Sequence, residues 1–340
     1  MQALGFNGPW DMTIMERPDP IAGEGEVLIE VIATGICGSD VHGYSGETGR
    51  RTRGQVMGHE TVGRVAVGSA ELSAGTLVTV NPIVACGHCE FCLEGETQVC
   101  PDSVVIGVEP TLDGSFAGLI AVPARNVVAL EPGMPVLHGA LVEPLAVGYH
   151  AVMRADPSPV DRMLIIGGGP IGQAAALGAR RAGVTAILVS EPVEARRELL
   201  EQLGFATTSP ELLETSVTER LGGKATAVVD AVGIAPSLAA ALQHSTTRAR
   251  VVLVGMGAKE MSIEPYGITV AERVVIGSYC YSEAHFASTA QWVGEGHPEL
   301  DLLIDRTLAL GEGPDAFKSI ADGSGGSNKT LLLSSVAEVN

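Results

Sequence analysis

The stretch Met163–Gly172 (MLIIGGGPIG) constrains the fold most strongly, because an apolar run leads directly into a cluster of glycines. Gly167, Gly169 and Gly172 fit the spacing G-x-G-x-x-G. Glycines at these places permit a tight turn, a close approach of the backbone to a pyrophosphate, and close packing of a helix on a strand. An alanine-rich helical stretch (Pro170–Ala182) follows, so the motif predicts a nucleotide-binding βαβ unit.

The next predicted strand ends in Glu191, about 20 residues beyond the last glycine of the motif, where an acidic residue can bind the ribose of a nucleotide. Such a carboxylate favours NAD over NADP, because it would repel a 2′-phosphate. Arg196 and Arg197 could instead pair with that phosphate, or form charge pairs on a helix surface. An ordinary βαβ turn with a surface glutamate is the alternative, since 43 of the 340 residues are glycine.

The pattern of strands and helices divides the chain in two. Residues 1–150 contain short apolar strands such as Gly25–Thr34, separated by glycines, which indicates a partly open β-barrel with long loops. Between residues 151 and 285, strand signals alternate with helical stretches, which predicts a doubly wound parallel sheet. Residues 286–340 are expected to return to the first domain, with Thr330–Leu333 as a strand. The predicted fold class is therefore α/β. The five strand signals of the second domain are Met163–Ile166, Ala186–Ser190, Ala225–Asp230, Arg250–Val254 and Val274–Ile276.

Charge and hydropathy exclude several classes of function. The 21 basic and 40 acidic residues give a net charge of −19, which argues against nucleic acid or an anionic membrane as the main partner. The absence of a run of 18 apolar residues argues against a membrane span, and the N-terminus lacks the features of a signal peptide. We therefore expect a cytoplasmic protein, in which the six cysteines are metal ligands or free thiols rather than disulfides.

Four cysteines form the compact pattern C-x2-C-x2-C-x7-C. They are Cys86, Cys89, Cys92 and Cys100. Four thiolates this close in sequence can surround one zinc ion and leave no open ligand position, so the pattern predicts a structural zinc. An iron–sulfur cluster is the main alternative because four thiolates suit it as well, and free cysteines are another. The acidic neighbours Glu90, Glu94 and Glu96 disfavour a nucleic-acid-binding zinc ribbon.

A second set of possible ligands is spread along the chain. Cys37 lies in GICGSDVH after a predicted strand, His59 lies in GHE, and Glu143 lies in VEPLAV. A cysteine, a histidine and a carboxylate with one open position describe a catalytic zinc, which would polarise an oxygen and lower the pKa of a bound hydroxyl. Taken singly, each residue has a simpler explanation, as a buried thiol, a hydrogen-bonded core histidine or a surface acid.

Together these motifs resemble those of the zinc-dependent alcohol dehydrogenases in the medium-chain dehydrogenase/reductase superfamily, and most of all its polyol and threonine dehydrogenase branch. The segments GICGSD, GHE, CGHCEFC, EPLAV, GGGPIG and DAVG occur in the family's order, nearly from end to end. The resemblance implies a GroES-like catalytic domain with two zinc ions, one catalytic and one structural, and a Rossmann domain for a nicotinamide cofactor. It also implies a homo-oligomer, a tetramer or a dimer.

The resemblance gives roles to the residues around the catalytic zinc. Cys37 and His59 match zinc ligands. Either Glu60, which we rank slightly higher, or Glu143 matches the third ligand. Asp40 matches the carboxylate that orients the zinc-bound histidine.

The resemblance also implies a proton relay and a cofactor site. Ser39 and His42 match the relay, in which the hydroxyl takes the substrate's proton and the imidazole passes it to solvent. Glu191 followed by Arg196 resembles the NAD arrangement of threonine dehydrogenases. The implied cofactor-binding residues are Gly167, Gly169, Pro170, Ile171, Gly172, Glu191, Arg196, Val232, Gly255 and Met256.

The predicted function is the reversible oxidation of a secondary alcohol to a ketone by hydride transfer to NAD. The substrate would be a small polyol, vicinal diol, sugar acid or threonine-like alcohol. Two alternatives are an NADPH-dependent aldehyde or ketone reductase and a non-catalytic NAD-binding zinc regulator. Arg50, Arg51 and Arg53 form a basic group in an acidic chain. They could hold a carboxylate or phosphate of the substrate, or lie in a solvated loop or subunit contact.

Overall fold

The computed structural model describes residues 1–68, 72–326 and 328–334. Contacts within the chain divide it into two units. Unit 1 comprises Met1–Glu143 with Ser282–Asn340, and unit 2 comprises Pro144–Tyr281. The domain bounds expected from the sequence, 150/151 and 285/286, lie a few residues further along the chain and stay a prediction.

The described part of the chain contains strands, α-helices and short 3-10 helices. The strands are β1 (Gln2–Gly8), β2 (Asp11–Glu16), β3 (Glu26–Gly35), β4 (Glu60–Val65), β5 (Leu77–Val80), β6 (Ile83–Val84), β7 (Val104–Val105), β8 (Leu119–Pro123), β9 (Val127–Ala129), β10 (Arg162–Ile166), β11 (Ala186–Ser190), β12 (Ala206–Thr208), β13 (Ala225–Asp230), β14 (Ser245–Leu253), β15 (Val274–Gly277), β16 (Ile304–Ala309) and β17 (Lys329–Leu333). The α-helices are α1 (Gly38–Tyr44), α2 (Glu90–Leu93), α3 (Val142–Arg154), α4 (Pro170–Arg181), α5 (Glu194–Gln202), α6 (Leu213–Glu219), α7 (Ala235–Gln243), α8 (Tyr266–Thr269), α9 (Glu283–Gly294) and α10 (Gly313–Ala321). The 3-10 helices are Thr97–Val99, Ala124–Asn126, Val136–Leu141, Pro210–Leu212, Pro298–Leu303 and Leu310–Glu312.

Unit 1 is built on a seven-stranded sheet in the order β16-β17-β3-β4-β5-β9, with β8 also paired to β3. Strand β3 carries Val27, Ile29 and Val31 at alternate positions, and all three are buried in one apolar cluster. This alternation is what places one face of a strand in a core. Strand β17 pairs antiparallel with β3, which confirms the predicted return of the last strand to the first domain.

Unit 2 contains a six-stranded sheet in the order β12-β11-β10-β13-β14-β15, and every pair in it is parallel. The predicted doubly wound parallel sheet is therefore confirmed. Met163, Leu164 and Ile165 on the central strand β10 are fully buried, as expected for a strand covered on both faces. The strand order reverses beside β10, and ligands bind at the carboxyl edge of such a sheet at this point.

One segment of the described residues, Val136–Arg154, is long and apolar enough by composition to cross a membrane. However, 72% of its apolar window is buried inside the protein. Such burial is typical of a core helix.

Candidate metal and cofactor sites

Strands β3 and β4 bring three of the predicted zinc ligands together. Cys37 caps α1 just after β3, and His59 precedes β4, which pairs with β3 so that Glu60 lies opposite Gly35. The Sγ atom of Cys37, a ring nitrogen of His59 and a carboxylate oxygen of Glu60 all lie within 4.8 Å of one another. A Cβ atom on Gly35 would overlap the Glu60 carboxylate, so the glycine makes room for this arrangement.

The donor atoms of this group fit zinc. His59 is 6% exposed and Glu60 is fully buried, and within the described residues Oε2 of Glu60 has no hydrogen-bond partner. Buried polar atoms are nearly always paired, so an unpaired carboxylate oxygen beside a thiol and an imidazole fits a cation ligand. One thiolate, one imidazole and one carboxylate leave the fourth position of a tetrahedron open.

Glu143, the other candidate for the third ligand, lies near the start of α3 and is 7% exposed. It does not belong to the group of mutually close ligand atoms formed by Cys37, His59 and Glu60 in the described part of the chain. The geometry therefore favours Glu60 as the third ligand.

Asp40 is fully buried on α1 beside His59. Its Oδ1 atom lies 3.5 Å from Nδ1 of His59, and its Oδ2 atom accepts a hydrogen bond of 3.2 Å from the backbone N–H of Cys37. Burial raises the pKa of Asp40, but His59, Arg51 and the Cys37 N–H outweigh it and hold that pKa below its ordinary value. Burial lowers the pKa of His59, whereas Asp40 and Cys37 raise it well above its ordinary value. This position suits the expected role of Asp40 in orienting the histidine.

Lys329, on β17, also belongs to this site, although it lies in none of the sequence motifs. It is 5% exposed, and its Nζ donates to Oε1 of Glu60 at 2.7 Å and to the carbonyl oxygen of Ile36 at 3.3 Å. Burial lowers the pKa of Lys329, but the nearby Glu60 and Cys37 raise it above its ordinary value. Its only sequence signal is a lysine at the head of an apolar strand, KTLLL.

The predicted relay residues Ser39 and His42 both lie on α1. Nδ1 of His42 lies 2.7 Å from Oε2 of Glu47, and both side chains are exposed. The hydrogen bonds from His42 and Ser45 lower the pKa of Glu47. His42 is thus paired with Glu47, which belongs to none of the sequence motifs.

The second metal-ligand group is the four-cysteine lobe, in which all four Sγ atoms lie within 4.8 Å of one another. Its members are Cys86, Cys89, Cys92 and Cys100. Hydrogen bonds from the backbone N–H groups of His88 and Cys89 lower the pKa of Cys86 to about 6, whereas burial raises the pKa of Cys92 to about 12. The N–H of Gly87 also donates to Sγ of Cys92 at 3.4 Å. A closed set of four sulfurs with backbone N–H donors suits a structural zinc.

The glycine motif forms the turn between β10 and α4. Gly167 has φ +94°, and a Cβ atom on Gly172 would collide with the carbonyl oxygen of Gly167, so glycine is required at both positions. Gly169 is the N-cap of α4, and Pro170 begins the helix, followed by Ile171. A helix that begins at such a turn offers backbone N–H groups and a positive dipole end to a pyrophosphate.

Glu191 follows β11 beside this turn and is 2% exposed. Its Oε2 accepts a hydrogen bond of 2.6 Å from the N–H of Gly168, and its Oε1 accepts one of 2.8 Å from the N–H of Val193. Arg196 lies 3.9 Å from Oε1 of Glu191, whereas Arg197 donates to two backbone carbonyls, including that of Glu191. The carboxylate is therefore held in one place by the backbone.

The remaining predicted cofactor residues follow β13 and β14, at the same edge of the sheet. The N–H of Val232 donates to the Asp230 carboxylate at 2.9 Å. The two loops are in contact, because a Cβ atom on Gly255 would overlap the backbone of Val232. Met256 is 77% exposed. The structure thus gathers the predicted residues at the carboxyl edge, where such sheets bind ligands.

Arg50, Arg51 and Arg53 do not form one exposed group. Arg50 and Arg53 are exposed, but the Arg51 side chain is only 3% exposed and donates to the carbonyl oxygen of Val108. The role of the three arginines toward a substrate anion stays a prediction, but the buried Arg51 side chain does not share one exposed surface with Arg50 and Arg53.

Comparisons with known proteins agree with this arrangement. Residues 23–132 match the alcohol dehydrogenase GroES-like domain, and residues 170–295 match the zinc-binding dehydrogenase domain. The sequence is 33% identical to 2-dehydro-3-deoxy-L-galactonate 5-dehydrogenase of Pseudoalteromonas atlantica over 339 residues, which cover 98% of each chain. This chain belongs to the zinc-dependent alcohol dehydrogenase family. The predicted GroES-like and Rossmann domains and the predicted oxidoreductase class are confirmed.

Solved structures of similar proteins add the class of cofactor. RspB of Escherichia coli CFT073, in complex with NADH, matches with a TM-score of 0.89 and 27% identity, covering 98% of this chain and 99% of that one. A putative zinc-binding dehydrogenase of Sinorhizobium meliloti, bound to NADP, matches with a TM-score of 0.88 and 27% identity, covering 98% of both chains. Both nicotinamide cofactors therefore occur among these similar structures.

Proposed function

We propose that this dehydrogenase oxidises a secondary hydroxyl group of a sugar acid to a ketone, with NAD as the hydride acceptor. The observation that carries the proposal is the buried group of Cys37, His59 and Glu60, whose donor atoms fit a zinc ion with one open position. The sugar-acid class is supported by the relative from Pseudoalteromonas atlantica, which is named for a deoxygalactonate substrate.

Two zinc ions per chain follow from the two groups of ligands. Cys37, His59 and Glu60 would hold the catalytic ion, and the four-cysteine lobe would hold the structural one. When bound, a catalytic zinc polarises the substrate oxygen and favours loss of its proton. Lys329 donates to Oε1 of Glu60 and balances its charge, and Asp40 restrains the ring of His59.

The proton leaves through side chains of α1. The Ser39 hydroxyl accepts the substrate's proton while it passes its own proton on to His42, and His42 releases a proton to solvent. Glu47 accepts a hydrogen bond at Nδ1 of His42, which places a proton on that nitrogen and leaves Nε2 as the base. The exposure of His42 gives the proton a path to bulk water.

The proposed preference for NAD rests on Glu191. Its carboxylate is held by two backbone N–H groups beside the glycine turn, and its remaining lone pairs can accept hydrogen bonds from ribose hydroxyls. A 2′-phosphate would meet this negative charge. Of the two arginines that could offset it, Arg197 donates to backbone carbonyls and Arg196 lies 3.9 Å from Oε1 of Glu191. These contacts disfavour NADP.

We also propose that the chain forms a homo-oligomer in the cytoplasm and has neither nucleic-acid nor membrane partners. Strand β15 is the edge of the unit 2 sheet, and Val274 on it is 52% exposed. Tyr266 and Val270, which precede it, are 73% and 74% exposed. An exposed apolar edge strand is a template for pairing with another chain, and a second copy can pair with it in an antiparallel manner about a two-fold axis.

One assay panel tests the proposed reaction. Purified protein is mixed with NAD or NADP and with sugar acids, neutral polyols, vicinal diols or threonine, while formation of the reduced cofactor is followed and zinc is counted on the same sample. We expect two zinc ions per chain and NADH formation with a sugar acid. Turnover confined to NADPH and carbonyl compounds would support a reductase instead. Two zinc ions and cofactor binding without any turnover would support a regulator.

A further inference from the structure

Arg51 is a buried cation that the proposed reaction does not use. Its side chain is 3% exposed, and its Nη2 lies 3.8 Å from Oδ1 of Asp40. On its other side, Nη1 donates to the carbonyl oxygen of Val108. Burial of an arginine head is costly unless charges and carbonyl oxygens compensate it, so this placement calls for a role inside the protein.

Asp40 stands between two groups at the candidate zinc site. Its Oδ1 faces Nδ1 of His59 at 3.5 Å and Nη2 of Arg51 at 3.8 Å, while Oδ2 is bonded to the Cys37 N–H. A histidine that binds zinc does so as a neutral imidazole. Arg51 would then be the positive side chain that faces Asp40 in the described part of the chain, and a buried carboxylate without a cation is costly.

Gly43 is the position that admits Arg51. A Cβ atom at Gly43 would lie 2.5 Å from Nε and 3.1 Å from Cγ of Arg51. Gly43 follows Asp40 by three positions on α1, so the two residues share one face of the helix. Glycine inside a helix is destabilising relative to alanine, and the space that Arg51 occupies accounts for it.

We propose that Arg51 is a positioning residue, which crosses α1 over Gly43 and holds the Asp40 carboxylate against His59, so that the catalytic site keeps a high affinity for zinc. The proposal rests on the proposed function only in taking Cys37, His59 and Glu60 as ligands. The carboxylate that orients a metal-bound histidine is itself held in place by its own partners, and loss of such outer contacts weakens metal affinity.

The test measures zinc affinity rather than turnover. Wild type, Arg51→Ala, Arg51→Lys and Gly43→Ala are purified with both zinc ions, and the ions are withdrawn with a graded chelator. The zinc of the four-cysteine lobe serves as the internal reference. In parallel, cobalt replaces the catalytic zinc, and its visible absorption reports the ligand geometry.

We expect Arg51→Ala to lower the affinity of the catalytic site for zinc by about 10- to 100-fold. Its cobalt spectrum should shift, while the lobe keeps its zinc. Arg51→Lys, which keeps the charge, should recover part of the affinity. Gly43→Ala should lower the zinc affinity of the same site by displacing Arg51. The double variant Gly43→Ala with Arg51→Ala should bind zinc as tightly as Arg51→Ala alone. Arg53→Ala, which removes an exposed arginine from the same loop, should leave zinc affinity unchanged.

Wild-type zinc affinity and an unchanged cobalt spectrum in Arg51→Ala would overturn the proposal. If the losses of zinc affinity in Gly43→Ala and Arg51→Ala add up in the double variant, Gly43 does not act by making room for Arg51. If Arg51→Ala does not fold, the zinc affinity and cobalt spectrum of Gly43→Ala and Arg51→Lys test the proposed role of Arg51 in its place. A wild-type protein that holds two zinc ions but oxidises no alcohol would refute the proposed function and leave this comparison intact.

Discussion

The Nζ atom of Lys329 lies 2.7 Å from Oε1 of Glu60, and 269 positions separate the two residues in the chain. Both side chains are almost completely buried, at 5% and 1% exposure. The pair joins one of the last strands of the chain to the candidate zinc site. It engages one oxygen of Glu60 and leaves the other, Oε2, without a hydrogen-bond partner among the described residues.

Replacing the lysine should therefore destabilise the protein. Lys329→Met leaves a buried carboxylate without its cation, and breaking such a pair from one side costs about 3–5 kcal/mol. The free energy of unfolding in urea measures the loss. Lys318→Met, at an exposed lysine of α10, should change stability little. The double variant Glu60→Gln with Lys329→Met should regain much of the stability, and a Lys329→Met protein as stable as wild type would show that the pair is not needed.

Removal of a catalytic-site ligand should take away one zinc ion of two. In Cys37→Ser or His59→Ala, we expect zinc content to fall to one ion per chain and dehydrogenase activity to disappear, because three protein ligands hold a catalytic zinc. NAD binding, measured by calorimetry, should persist. Cys280→Ser, at a cysteine outside both ligand groups, should keep both ions. A zinc-replete and fully active Cys37→Ser enzyme would rule out the ligand assignment.

The relay makes a prediction about pH. His42→Ala should slow turnover by about tenfold or more at low pH, where a proton acceptor is most needed, and less at high pH. Glu47→Gln keeps a hydrogen-bonding group near Nδ1 of His42 without the charge. Its turnover at low pH should lie between that of wild type and that of His42→Ala. The measurement is kcat and kcat/KM across pH for each variant. A His42→Ala profile of wild-type shape would remove His42 from the relay.

The contacts of Asp161 lead us to expect that the stability of unit 2 depends on pH. Burial raises its pKa, but Thr226, the Ser158 N–H and Arg250 lower it below the ordinary value. A carboxylate with a lowered folded pKa stabilises fully above its unfolded pKa of about 3.9, and this stabilisation is lost as pH falls through the folded pKa.

Asp161→Asn should therefore cost about 1–3 kcal/mol near pH 7, where charged hydrogen bonds are lost. The difference from wild type should shrink as pH falls below about 4. Urea unfolding at several pH values measures this. Asp156→Asn, at an exposed aspartate on the same connection, is the matched control and should stay near wild type. A difference in unfolding free energy between Asp161→Asn and wild type that grows as the pH falls would contradict the lowered pKa of Asp161.

The proposed oligomer can be broken at its edge strand. Val274→Lys places a charge on the exposed edge β15, and lysine is a residue by which natural edge strands avoid pairing. We expect smaller particles in size-exclusion chromatography with light scattering. Val160→Lys, at another exposed valine of unit 2, should keep the wild-type size. A monomeric wild-type protein would refute the proposal outright.

Some strand limits show where local patterns fall short. The apolar pattern predicts a strand over Arg250–Val254, but β14 begins at Ser245. The added residues, STTRA, are mostly polar and carry no apolar alternation, and Arg248 among them has φ +61°. Ser245 pairs with Ala225 of the neighbouring strand β13, and the pairing resumes between Arg250 and Ala227 after a shift in register. Such pairing is invisible in a single segment.

Local chemistry alone determined the glycine turn, the four-cysteine lobe and the family of this protein. The turn and the lobe each depend on residues a few positions apart, whose spacing sets the turn or the ligand geometry directly, and the family follows from the order of short motifs along the chain. Tertiary structure alone decided that Glu60 lies beside Cys37 and His59, that Lys329 pairs with Glu60, and that the Arg51 side chain is buried. These outcomes depend on which strands pair and which helix face carries a glycine, because long-range packing brings together side chains that no local pattern connects.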